Sequence, residues 1–312
     1  MKVAILSLPL GGNYGGALQD YALQQLLHGL GHEPTTCVVP FPPGHNADTA
    51  ARALLGSDYE AIAQNMLEGM DFFLPDFRGT PEEGLRRIVD GQLAPSVLAR
   101  SAYCEAALAE ETKRGCGQYV LFAAGYDSYA LRREGASLAV FELDLPEVLR
   151  DKRRRMEAAG LRSSAVDVPC DLADPAWPEA LLAAGYRPEE KSFGSLLGIS
   201  YYLRKADFAA LLRAAGALMA AGSVLCLDYP AAGEGSAART HQALAQEAGE
   251  QMQARYTPEE MAALLPECGF AVREQLSAED MNRRFFAAHN RLTPQQPLYA
   301  PEGVGYLLAA RR

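Results

Sequence analysis

Positive charge is in short supply in this chain. Its 29 lysines and arginines face 39 aspartates and glutamates, leaving a formal net charge of −10. Neutralising a phosphate backbone needs a basic face, so no nucleic-acid partner is expected. The one dense basic run, Lys152-Arg153-Arg154-Arg155, closely follows Glu147 and Asp151 and reads as a solvated helix face. No apolar run approaches the ~18–20 residues of a membrane-crossing helix. The opening MKVAILSLPLGGNYGG breaks after Leu10, too soon for a secretory signal, so no membrane association is expected. Cysteine is sparse as well. The six thiols (37, 104, 116, 170, 226, 268) include no C-x-x-C, and no histidine stands at zinc-ligand spacing, so no metal site is expected. They read as reduced, mostly buried thiols of a cytoplasmic protein. The nucleophile elbow G-x-S-x-G, the phosphate loop G-x-x-x-x-G-K-[ST] and H-E-x-x-H are all missing. The five histidines are scattered, and only His241 and His289 fall where a substrate lid could form.

What is present is the composition of a globular enzyme. The chain has 312 residues, of which 49% are hydrophobic and 22% charged, enough for a sizeable core. From Gln118 onward short apolar runs alternate with helical patterns, which predicts a mainly parallel sheet covered on both faces. Strands are expected at 119–123, 138–143, 164–168, 192–197, 223–228, 270–275 and 304–309. Helices are expected from Pro95 to Arg114 and at 145–159, 176–184, 206–220 and 239–254, with another running from a Thr257 cap to Gly269. The stretch 278–292 reads as helical or irregular.

The most informative segment is QYVLFAAGYDSYALRREGASLAVFELD, Gln118–Asp144. A strand runs into Ala124-Gly125 and a polar turn, Tyr126-Asp127-Ser128; a second strand ends on Asp144, 19 residues after Gly125. Glycine lets backbone approach a ligand, and an acid about 20 residues on can accept from both hydroxyls of a ribose. The fingerprint G-x-G-x-x-G is absent, so nothing receives a pyrophosphate. That combination points to a cofactor with adenosine but no phosphates, S-adenosyl-L-methionine.

AAGYDSYALR followed by VFELDLPEVLRDKR resembles the leucine carboxyl methyltransferase family, whose pattern runs roughly GAGxDTxxxR, then FExDxPxxxxxKR. The similarity continues through VPCDLADPAWPEALLAAGY and FGSLLGISYYL and covers about residues 50–312. It implies a Rossmann-like methyltransferase fold: a mainly parallel seven-stranded sheet, its last strand antiparallel, with an N-terminal helical cap. In that family an arginine at the place of Arg100 holds the cofactor's carboxylate, a task suited to a guanidinium fork. The alternative is a solvent-facing helix arginine, which its apolar neighbours Val97, Leu98 and Ala102 make the weaker reading. Asp171 and Leu172 resemble the pair that frames adenine, and an acid opening the next helix is the plainer reading. Leu145, Asp127 and Gly198 complete the implied cofactor set with Ala124, Gly125 and Asp144. Two departures stand out: Ala123 replaces the first family glycine, and Leu197 replaces a glutamate before Gly198.

Residues 1–45 read as a separate βα segment and linker, ahead of a methyltransferase domain at 46–312. A strand at 2–8, the loop Pro9–Gly16 and a helix at 17–30 are expected. GGNYGGALQDYALQQLLHGLGHE resembles the opening of polysaccharide pyruvyl transferases over about 40 residues. Further helices are expected over 50–73 and from Thr80.

The function implied is an S-adenosylmethionine-dependent O-methyltransferase of a carboxylate, on a small molecule or a protein. No catalytic base is evident, and an already ionised acceptor needs none. Tyr201, Tyr202 and His241 are candidates should the acceptor be an alcohol. Two other readings stay open: a pyruvyl or glycosyl transferase using the N-terminal glycine loop, or a cofactor-binding protein without turnover.

Overall fold

Two sheets are present in the computed structural model, which describes residues 2–5, 33–36, 78, 94–132, 138–158, 161–232, 252–292, 294 and 297–312. β1 (Lys2–Ile5) and β2 (Glu33–Thr36) pair in parallel as a small sheet of their own. β1 is the first half of the expected strand, whereas β2 had no counterpart in the sequence reading. The helices expected at 17–30, over 50–73 and from Thr80 lie outside the described residues. So does most of 239–254, whose last three residues are not helical.

The main sheet has seven strands: β3 (Gln118–Phe122), β4 (Ala139–Asp144), β5 (Val166–Pro169), β6 (Ser192–Leu196), β7 (Val224–Pro230), β8 (Phe270–Leu276) and β9 (Val304–Arg311). Their order is β5-β4-β3-β6-β7-β9-β8, and β9 runs antiparallel to both neighbours. This is the expected α/β class. Helices follow the strands in turn: α1 (Ala94–Lys113) before β3, then α2 (Tyr129–Arg132), α3 (Pro146–Ala158), α4 (Trp177–Ala183), α5 (Lys205–Leu218) and α6 (Pro258–Glu267). After β8 come α7 (Ala278–Met281), a π-helical turn at Asn282–Phe286 and α8 (Ala287–Leu292). The expected strand at 164–168 instead starts at Val166 and ends on Pro169, which an edge strand tolerates because no partner needs its amide.

The period-2 alternation of the central strands feeds two cores. Val120, Phe122, Phe141, Leu143, Leu196, Leu225 and Leu227 face Trp177 and Leu181 of α4, Phe208 and Leu212 of α5, and Met261 and Leu265 of α6. Tyr119, Leu121, Val140, Phe193, Val224 and Cys226 face Ala99, Tyr103 and Leu108 of α1. Burying both faces is why these strands read as unbroken apolar runs. Each such large side chain contributes about 1.5–3 kcal/mol. α6 starts as expected: Thr257 Oγ1 accepts from Glu260 N at 3.1 Å, and the Glu260 carboxylate accepts from Thr257 N at 2.9 Å.

β3 and β6 are neighbours, yet the chain leaves β3 toward β4 on one side and returns to β6 on the other. At such a reversal the loops after the two strands diverge and leave a crevice at their carboxyl ends.

Candidate functional site

The loop after β3 is bent by two residues in the left-handed region, Ala123 at φ 53° and Gly125 at φ 52°. For alanine this conformation costs roughly 1–2 kcal/mol, which accounts for a glycine in the family pattern at this point. Ala124 sits between them, donating its amide to Leu143 O at 2.9 Å and accepting from Asp127 N at 2.9 Å. Asp127 turns its carboxylate onto Tyr129 N at 2.7 Å and so starts α2.

Asp144 closes β4 directly opposite this bend. Its Oδ2 accepts from Gly125 N and its Oδ1 from Leu145 N, both at 2.7 Å. Each oxygen keeps lone-pair capacity for a further donor. Burial pushes this carboxyl above the usual aspartate range, and the two backbone amides pull the other way without overcoming it. Leu145, next to it, is 39% exposed, unusual for a leucine beside a core strand. Cys170 N donates to Asp144 O at 2.9 Å, which brings the loop after β5 alongside. Burial, then the charge of Asp144, lifts the Cys170 thiol to about 11. In that loop Asp171 is exposed and accepts from Ala173 N at 2.8 Å, while Leu172 packs half-buried against the core.

Arg100 projects from α1 to the other side of the crevice, and it is not a solvent-facing helix residue. Its side chain is 18% exposed, and Nη1 lies 3.6 Å from Oδ2 of the fully buried Asp228 on β7. Burial works against the arginine's charge; the Asp228 carboxylate and the tyrosines at 201, 202 and 306 outweigh it, so its pKa is raised. Gly198, at φ +70°, lies flat against the guanidinium: a Cβ there would meet Nη1 at 2.6 Å. Gly198 N donates to Asp228 Oδ1 at 2.6 Å, and Tyr201 OH donates to Oδ2 at 3.1 Å. Ser200 Oγ donates to the Asp228 carbonyl at 2.8 Å. Tyr201 is buried, its phenol pushed well up by burial and then by Asp228, whereas Tyr202 is 40% exposed.

Sequence reasoning missed Asp228, and a signal was available. An acid inside the apolar run Val224–Tyr229 has to find a partner once both faces are covered. Arg100 was the cation lacking one.

The basic run at 152–155 is only partly the expected solvated face: Arg154 is 73% exposed, but Lys152 points inward. Lys152 is 3% exposed and donates to the equally buried Glu142 at 2.5 Å. Burial raises the Glu142 carboxyl, and Lys152 offsets this only in part. Arg153 pairs with Asp167 on β5, and Arg154 and Arg155 both reach Asp151, which also accepts from Tyr126 OH in the bend. Lys152 and Arg153 thus bind α3 to the sheet, and Asp151 binds it to the loop through Tyr126. Of the two lid histidines, His289 lies half-buried on α8, and His241 lies outside the described residues. Among the described residues no group of histidine, cysteine and acids could hold a metal. Likewise, no described helix is long and apolar enough to cross a membrane.

The bend after β3 and the end of β4 thus bring together Ala124, Gly125, Asp127, Asp144 and Leu145, with Asp171 and Leu172 in the loop alongside. α1 and the ends of β6 and β7 bring together Arg100, Gly198 and Tyr201; Tyr202 lies exposed next to Tyr201. The leucine carboxyl methyltransferase family profile matches residues 40–216, more than half the chain. The chain belongs to the leucine carboxyl methyltransferase family. YktD of Bacillus subtilis, named as a candidate S-adenosyl-L-methionine-dependent methyltransferase, is 31% identical over 280 residues, 85% of this chain and 90% of YktD. FRAAL3718 of Frankia alni, named in the same way, is 32% identical over 226 residues, 71% of this chain and 75% of that protein. A solved structure from Thermobifida fusca, named as a candidate methyltransferase, shares the fold at a TM-score of 0.54 with 16% identity, over 79% of this chain and 94% of that one. This member of the family is therefore an enzyme, a methyltransferase dependent on S-adenosylmethionine.

Proposed function

We propose that this leucine carboxyl methyltransferase relative methylates the oxygen of a carboxylate, with the cofactor held in the crevice between the ends of β3 and β6. The carrying observation is that its buried acid and phenol are already engaged. Asp228 accepts from Gly198 N and Tyr201 OH and pairs with Arg100, and the Tyr201 phenol keeps its proton, its pKa raised well above normal by burial and then by Asp228. Neither is a base poised to deprotonate an alcohol. A carboxylate acceptor is already ionised and needs none. Leu197, half-buried in place of the family's glutamate, leaves the acceptor side more apolar.

The residues present suit the parts of S-adenosylmethionine, which supplies a methyl group made electrophilic by its sulfonium. Asp144 offers two anchored oxygens to the ribose hydroxyls. The exposed Leu145, with Leu172 and Asp171, would frame adenine; Ala124, Gly125 and Asp127 shape the backbone that approaches it. Arg100 would hold the amino-acid carboxylate. Tyr201 and Tyr202 border the acceptor side. Transfer then depends on orientation, which is worth up to about 7–11 kcal/mol when ideal.

Asp144→Ala should weaken S-adenosylhomocysteine binding at least about tenfold, since a lost charge-assisted pair costs ~1.5–3 kcal/mol. Unchanged affinity in titration calorimetry would take Asp144 out of the site. Label transferred from methyl-labelled cofactor to an acceptor should be released as methanol by mild alkali, the behaviour of a carboxyl ester. Alkali-stable label would sink the carboxylate assignment and leave cofactor binding untouched.

A further inference from the structure

The Arg100 fork can hold a carboxylate only if something fixes its direction, because a flexible stem of several rotatable bonds separates it from α1. Around it stand Asp228, Gly198 and Tyr201. Asp228 is 0% exposed in the middle of an otherwise apolar strand, and an unpaired carboxylate there would be costly. It is itself held rigidly. Gly198 N takes one oxygen, Tyr201 OH takes the other, and Ser200 Oγ binds its carbonyl. With both oxygens fixed from the β6 side, Asp228 presents a negative edge to one corner of the guanidinium. At 3.6 Å the contact is looser than a forked pair, so Nη1 alone faces the acid. The side chain as a whole keeps 18% of its surface exposed, so a ligand can still reach it.

Gly198 supplies the second wall. Its missing side chain is what lets the guanidinium plane lie on the loop, since a Cβ would stand 2.6 Å from Nη1, 3.0 Å from Cζ and 3.1 Å from Nη2. Asp228, fully buried, reaches no ligand itself, whereas Gly198 lines the crevice beside Arg100. Their shared product is the orientation of Arg100.

We propose that Asp228 is a positioning residue for methyl transfer: with Gly198 and Tyr201 it forms the seat that aims Arg100 at the carboxylate end of S-adenosylmethionine. This rests on the reading of Arg100 given above. A consequence is selectivity within the cofactor. Loss of the seat weakens the grip on the amino-acid end and leaves the adenosine end, held from β4, as it was.

Two ligands separate these ends: S-adenosylhomocysteine, which carries the amino-acid carboxylate, and 5′-methylthioadenosine, which lacks it. Dissociation constants for both are measured by titration calorimetry on wild type, Arg100→Lys, Asp228→Asn and the double variant. Asp228→Asn should weaken S-adenosylhomocysteine about tenfold or more, the size expected for a lost charged partner. Binding of 5′-methylthioadenosine should change less than about twofold, and the double variant should bind no worse than Arg100→Lys alone, as for residues acting as one unit. Tyr201→Phe, which removes one donor from Asp228 and keeps the ring, should reproduce the selective loss at about a third of its size on a logarithmic scale. That variant carries the test if Asp228→Asn does not fold. Equal weakening of both ligands by Asp228→Asn, or full additivity with Arg100→Lys, overturns the seat and leaves the Arg100 reading standing. Arg100→Lys binding both ligands like wild type overturns the Arg100 reading and the seat with it.

Discussion

Asp144 is an acid caught between two demands. It must be ionised to accept from Gly125, Leu145 and a ribose, while its burial favours the neutral form and sets its pKa above that of an unfolded aspartate. For the free protein, this acid contributes stability that is present below the unfolded pKa and is lost as pH rises through the raised, folded one. Cofactor binding has the opposite sign, because the ribose hydroxyls stabilise the charge and expel a proton. Affinity for S-adenosylhomocysteine should therefore fall as pH is lowered through the raised pKa of Asp144, earlier than an ordinary aspartate would cause. Calorimetry in buffers of different ionisation heat should register proton release in that window. Asp144→Asn should bind weakly and without the slope, and a slope that survives would assign the linkage to another group. The register of Asp144 with Gly125 was legible in the sequence because both belong to one strand–turn–strand unit. For Asp228 only the need for a partner was legible; its partners on α1 and after β6 are distant in the chain and meet only once the sheet has formed.

At the scale of elements, α3 shows how far a charge count can mislead. Four consecutive basic residues occupy every direction around a helix, so one must point inward. In the folded protein that one is Lys152, aimed at Glu142 on β4. Lys152→Met should cost about 3–5 kcal/mol, because it strands a buried carboxylate, whereas Glu142→Gln with Lys152→Met should recover most of the loss. Chemical denaturation of the single and double variants measures this; a single variant within ~1 kcal/mol of wild type would mean that water already reaches Glu142. Helix positions were read well where caps announced them, as at Thr257. The glycine inside α5 was not explained by sequence. Gly216 is there because the C-terminus of α6 presses close, its Cys268 carbonyl standing 1.9 Å from where a Cβ would lie. Such close approach leaves no mark on the periodicity of either helix.

At the scale of the whole molecule the alternation of strand and helix was enough to give the class, and the antiparallel last strand came from the family resemblance. Neither gave the position of β2, whose sequence Glu-Pro-Thr-Thr has no apolar period to announce it. The placement of β9 carries a consequence for how the chain assembles. β7 and β8 flank β9 and do not pair with each other, so β8 has no strand neighbour until Val304–Arg311 arrives. β9 also has to join β7, a pairing that spans the whole of α6, β8 and α8 and carries the loop-closure cost of distant segments. The same strand sets Tyr306 opposite Asp228, in the wall behind the arginine seat. Order at the β6–β7 end of the crevice is thus tied to the last pairing in the sheet. In pulsed hydrogen exchange during refolding, amides of Phe270–Leu276 should gain protection together with those of β9 and after those of β3 and β6. Early protection of β8 alone would refute this order. A folding intermediate of this enzyme would then possess the ribose acid before it possesses the oriented arginine, and would hold adenosine before it could discriminate what is attached to it.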